Sequence, residues 1–132
     1  MSKFQAFLKK NKKGKGEVSF SLPNFDEPLT IRVLNGREVD AINERCFVMK
    51  TGKKGRQERV FDGVKYNREL CVASIIYPDL NDQELQASYG AMGAVELYGE
   101  MFNWGEQGMI LEQVSLAAGV LDINEEIEEA KN

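Results

Sequence analysis

Among its 132 residues the chain contains no histidine. That absence removes serine–histidine and cysteine–histidine nucleophile systems, imidazole general bases and nearly every zinc site. Cysteine is scarce too. Cys46 and Cys71 form no Cys-x-x-Cys pair, and no secretory leader pattern stands at the N-terminus, so both are expected as reduced thiols. No apolar run approaches the ~20 residues that cross a bilayer, which argues against a transmembrane protein. Asp79, Asn81 and Gln83 begin like a calcium loop. That loop needs glycine at its sixth position and a bidentate glutamate at its twelfth, where Glu84 and Gly90 stand instead. The run Gly52-Lys53-Lys54-Gly55-Arg56 lacks the spacing and the terminal Ser/Thr of a phosphate-binding loop. Catalysis, a cofactor and a metal are therefore not expected.

What is present suits a single domain over residues 1–132. With 42% of residues hydrophobic, a chain of this length buries about two-thirds of its unfolded surface and needs no covalent staple. Net charge is −4, but the charges are segregated. Lys3, Lys9, Lys10, Lys12, Lys13 and Lys15 precede the first acid, and Lys50, Lys53, Lys54, Arg56 and Arg59 surround Glu58. The C-terminal tail, about 122–132, carries Asp122, Glu125, Glu126, Glu128 and Glu129 against Lys131. Basic segments 9–15 and 50–59 admit a nucleic-acid contact. In an acidic chain, solvated lysine- and glycine-rich loops explain them more simply.

Periodicity gives an α+β fold, mainly α-helical, with an N-terminal β-hairpin packed on a bundle of short helices. Phe4, Phe7 and Leu8 sit at helical spacing and predict a short amphipathic helix. Val18, Phe20 and Leu22 alternate, as do Leu29, Ile31 and Val33, around a turn-forming Pro-Asn-Phe-Asp-Glu-Pro. Two strands alone are marginal, so the ribbon must lie on helices or pair with another edge. Asn35 with Glu38 reads as a capping box opening a helix through about residue 49. The basic stretch at about 50–60 reads as a long flexible loop, and Asp62 as the cap of a broadly apolar central helix that runs through Tyr77 to Pro78. Asn81 with Glu84 reads as a further capping box, Gly90 as a helix terminator, and Gly93 as a site of close helix crossing. Helices then follow over about 93–102 and 106–118, with Gly119 at the second one's end and a last acidic helix or frayed tail beyond.

Tyr89, Met92, Leu97, Tyr98, Met101, Phe102, Trp104 and Met109 crowd one stretch of sequence. Methionines and aromatics together suit an adaptable surface for helical partners, because thioethers repack at little cost. They suit a helical core as well, and composition favours the core.

One segment is distinctive beyond its physics: Tyr77-Pro78-Asp79-Leu80, then Glu84-Leu85-Gln86, then Ser88-Tyr89-Gly90-Ala91-Met92-Gly93. It closely resembles the XkdN-like phage tail assembly chaperones. The likeness extends to Phe7-Leu8-Lys9-Lys10-Asn11, to the Ile31-Arg32 strand and to the acidic ending. It departs at 101–108, where Met-Phe-Asn-Trp-Gly-Glu-Gln-Gly lacks the proline and tyrosine that relatives often carry. The resemblance implies a non-enzymatic protein of the host cytoplasm, absent from the mature virion, that binds the tape measure protein and assists tail-tube assembly. It also implies contact with the tube protein where a frameshifted longer form is made. Homo-oligomers are compatible with it, and nucleic acid and membranes are not its expected partners. On that reading the 89–109 surface, with Tyr89, Met92, Leu97, Met101, Phe102, Trp104 and Met109, receives the partner, helped by Phe4 and Phe7.

Overall fold

The computed structural model describes residues 3–13 and 16–120. Its fold is mixed α+β and mainly helical, with two small antiparallel sheets. The expected hairpin is present: β1 (Glu17–Phe20) pairs antiparallel with β2 (Leu29–Arg32), setting Val18 opposite Ile31 and Phe20 opposite Leu29. Its outer edge is completed by a strand the sequence reading had assigned to a helix. β5 (Ile75–Tyr77) pairs with β2, giving the order β1-β2-β5. The β-branched Ile75-Ile76 pair before Pro78 explains the change, since the residue preceding proline avoids the α region and these side chains favour extended backbone. Leu29 and Ile31 on central β2 face inward and are fully buried.

Helix α1 (Gly36–Arg45) starts at the expected capping box. Asn35 Oδ1 accepts from the Glu38 amide at 2.9 Å, and Glu38 Oε1 accepts from the Asn35 amide at 3.1 Å. It ends four residues earlier than expected, at Arg45 rather than about 49. The remainder joins a second sheet in place of the expected flexible loop. β3 (Phe47–Thr51) pairs with β4 (Gln57–Phe61) across a tip containing a 3-10 turn at Lys53–Gly55. An aromatic and β-branched flank on each side of a glycine-rich turn drives this hairpin. Phe47 and Phe61 pack edge to face at 5.3 Å, and the Arg59 guanidinium lies 4.1 Å over the Phe47 ring.

α2 (Gly63–Ser74), capped by Asp62, contacts α1, α4 and α5 and is the helix around which the others gather. α3 (Gln83–Ser88) is capped by Asp82 through the Leu85 amide, not by Asn81 as the spacing suggested. α4 (Ala94–Met101) and α5 (Trp104–Ala117) complete the fold. Leu22, Leu29, Ile31, Cys71, Leu97, Tyr98, Phe102 and Ile110 form the interior between the three-stranded sheet and the helices. Each large apolar side chain removed from water there contributes about 1.5–3 kcal/mol. Near the N-terminus, two 3-10 turns (Gln5–Phe7 and Lys9–Asn11) stand in place of the expected amphipathic helix. No described residue of that segment is buried, so no packed apolar face supports a longer helix there. The acidic segment from 121 onward lies outside the described residues.

Candidate functional site

The distinctive segment at 77–93 folds into a corner tied by its own polar groups. Asp79 Oδ1 accepts from the Asn81 amide at 2.9 Å and turns the chain after the cis Tyr77–Pro78 peptide. Gln86 then acts as a latch. Its Nε2 donates to the Leu80 carbonyl at 2.8 Å, and its Oε1 accepts from the Gly93 amide at 3.1 Å. Leu80 and Ala91 anchor the two arms in the interior. Gly90 adopts φ 66° and Gly93 φ 98°. A Cβ on Gly93 would meet nothing within 4 Å. That glycine therefore serves the backbone angle, not a close helix crossing as expected. The Met92 amide donates to Glu96 Oε2 at 3.0 Å, which fixes the loop tip on the first turn of α4.

This framework places Met92 in solvent at 86% exposure. Trp104 is 92% exposed at the first position of α5. Asn103 holds that helix start by a capping box the sequence reading missed, although the Asn103-x-x-Glu106 spacing announces it: Oδ1 accepts from the Glu106 amide at 2.8 Å and Glu106 Oε1 from the Asn103 amide at 2.9 Å. Buried Glu106 also accepts from Asn24 Nδ2 at 3.2 Å, which ties the β1–β2 loop to α5. Tyr89 and Met109 are exposed as well, and so is Val95 of α4, which the sequence reading did not single out.

Two residues leave the expected surface. Leu97 is 0% and Phe102 1% exposed; both belong to the interior, with Phe102 in edge contact with Phe25 at 5.6 Å and tilted against Tyr98 at 5.5 Å. Met101 is half-buried against the same core. Phe4 and Phe7 are exposed on the N-terminal turns, where Phe7 lines a hollow with Asn11, Lys12 and Lys13. Of the expected residues, Tyr89, Met92, Trp104 and Met109 are thus exposed, Met101 is half-buried, and Phe4 and Phe7 are exposed on the N-terminal turns.

Among the described residues both cysteine thiols are shifted upward. Burial raises the Cys46 thiol, and its contact with Glu69 adds to that. Burial likewise raises Cys71, and burial followed by the neighbouring Cys71 pushes the Tyr98 hydroxyl far up. Thiols held protonated are poor nucleophiles. Among the described residues no group of three or more cysteines and carboxylates is placed to hold a metal ion, and no helix is long and apolar enough to cross a membrane. Of the two basic segments, the described part of the first is exposed on the N-terminal turns, and the second is the β3–β4 hairpin, with Lys53, Lys54 and Arg56 exposed at its tip.

A family model described as the phage XkdN-like tail assembly chaperone protein matches residues 4–131. The fold is similar to a crystal structure titled as that of the protein YqbN, with a TM-score of 0.65 at 15% identity, over 90% of this chain and 98% of that one. No curated protein matches the sequence.

Proposed function

The chain belongs to the phage XkdN-like tail assembly chaperone family, and from that premise we propose that it binds the tape measure protein, keeps it soluble and assists assembly of the tail tube. One observation carries the reading: an acidic protein holds Met92 and Trp104 almost wholly in solvent, each on a backbone fixed by its own hydrogen bonds. Exposed large side chains on rigid supports are what a partner helix with an apolar stripe would use. A tape measure is a very long helical chain, prone to aggregate until the tube encloses it. Many copies of a small acidic protein, each binding weakly, would cover it and then release. Acting in the host cytoplasm and leaving before the virion matures fits such transient cover. A frameshifted longer form would carry the contact to tube subunits, and residues 1–132 would act as one folding unit.

The test is co-expression with the tape measure protein, affinity capture and size-exclusion chromatography with light scattering. A soluble complex holding several copies per tape measure supports the reading. The double variant Met92→Asp with Trp104→Asp should fold normally and lose co-purification. An insoluble tape measure, with this protein eluting alone, would reject it.

The exposed lysines and arginine at the β3–β4 tip favour a second reading, nucleic-acid binding. That reading requires an affinity that falls steeply with salt. Absence of an electrophoretic shift at ~50 mM salt, where such binding is strong, dismisses it.

A further inference from the structure

Away from the 89–109 surface, a second apolar feature runs along the C-terminal half of α5. It is a groove of about 350 Å3, walled by Val39 of α1, Leu70 of α2, and Leu111 and Val114 of α5. The last described residue, Val120, lines it, so the chain passes into residues 121–132 from within the groove. An adjoining hollow shares Val33, Leu34 and Ala118 with it and is edged by Lys9, Lys12 and Lys13. None of these three lysines enters an ion pair among the described residues. The site therefore offers an apolar floor and a cationic rim that has no acidic partner there.

The sequence that leaves this groove has the complementary composition. Residues 121–132 contain Leu121, Ile123 and Ile127 for an apolar floor, and five acids against the single Lys131 for a basic rim. Seven residues past Val120 an extended chain reaches ~23 Å. The part of the chain from Leu111 to Ala118 that walls the groove spans only ~11 Å at a helical rise, well within that reach. We propose that segment 121–132 docks in this groove of its own chain, with Ile123 and Ile127 over the apolar floor and its carboxylates toward Lys9, Lys12 and Lys13. A short tether supplies an effective concentration of order millimolar. An intrinsic dissociation constant of ~0.1 mM would then keep the groove covered about nine-tenths of the time. Such a cover shields the groove from other apolar surfaces until a tighter occupant displaces it. The proposal does not depend on the identity of the tape measure as partner.

The test uses the full chain, labelled with nitrogen-15, beside the full-length double variant Ile123→Asp with Ile127→Asp. The variant's amide signals should shift at Val39, Leu70, Leu111 and Val114 and stay in place at Met92 and Trp104. A synthetic peptide of residues 120–132 added to the variant should return the groove signals toward their wild-type positions. Replacing Lys9, Lys12 and Lys13 by Glu in that variant should weaken the peptide about tenfold, the factor a few exposed ion pairs supply together. Wild-type spectra should not change on dilution, and light scattering should give the mass of one chain. Shifts confined to residues 121–132, or a peptide that perturbs a different surface, would overturn the proposal. So would groove shifts present only in a dimer, because the occupant would then be the segment of a second copy. None of these failures touches the tape measure reading, whose test rests on Met92 and Trp104.

Discussion

Glu38 serves two partners at once. As the third residue of α1 it closes the capping box with Asn35, and its carboxylate forks onto the Arg32 guanidinium, with one arm at 3.0 Å from Nη1. The arginine bond first, and the Asn35 amide second, hold its pKa down to about 2. A carboxyl lowered in the folded state contributes stability that is complete above its unfolded pKa of ~4.3 and is lost as pH falls toward 2. Stability measured by urea unfolding should therefore decline between those limits, and Glu38→Gln should flatten that part of the profile while lowering stability at pH 7. An unchanged acid profile in the variant would show that the fork contributes nothing in solution. A second contrast at this scale separates residues that composition treats alike. Leu97→Ala should cost about 2–5 kcal/mol, because it empties a closed interior. Trp104→Ala should stay within about 0.5 kcal/mol, since its ring covers nothing. Residue type gave no means of telling them apart: the difference is the phase of each helix against the core, set for α4 by its start at Gly93 and for α5 by the capping box at Asn103.

At the scale of elements, the chain was most legible where a local rule decides alone. The Asn35–Glu38 box, the Asp62 cap, the β1–β2 alternation and the glycine stops at Gly90 and Gly119 all follow from neighbours a few residues apart. Legibility failed where charge masked periodicity. Five basic residues hid the short aromatic and β-branched flanks of β3 and β4, and a largely apolar run hid the switch from α2 to β5. The 77–93 corner was recognised by likeness, while its mechanics, with Gln86 bridging Leu80 and Gly93, needed tertiary positions to see. Those mechanics rank two substitutions. Gly93 combines φ 98° with ψ 161°, a region nearly closed to other residues, so Gly93→Ala should cost about 1–3 kcal/mol from backbone strain. Gly90, at φ 66°, lies in the ordinary left-handed well, and Gly90→Ala should cost about 1–2 kcal/mol. Because neither added methyl meets a neighbour, strain alone sets the order, and chemical denaturation of the two variants reads it directly. Equal costs would mean that the corner relaxes around Gly93.

Across the whole molecule the two sheets are held very differently. The β1-β2-β5 sheet lies on the interior, and its central strand buries Leu29 and Ile31 completely. The β3–β4 ribbon has two strands only and exposes most of its side chains. Its base is closed by the Asp62 amide donating to the Cys46 carbonyl at 2.6 Å, and the Phe61–Tyr66 ring contact at 5.3 Å ties it to α2. A two-stranded ribbon is marginal by itself, and a unit with few buried contacts opens below the global free energy. Native-state amide exchange should then separate two classes. Amides bonded within 47–51 and 57–61 should exchange through a small opening that hardly responds to urea. Those of Ile31, Cys71, Leu97 and Ile110 should exchange only with global unfolding and its full urea dependence. The candidate surface at Met92 and Trp104 is anchored on the slow class, through Leu80, Ala91 and the Asn103–Glu106 box. The basic tip of the ribbon belongs to the fast class. A partner that needs rigid anchors would therefore protect the first region on binding and leave the second unchanged. Protection of the ribbon with no change near Met92 would move the interface to the basic hairpin and take the tape measure reading with it.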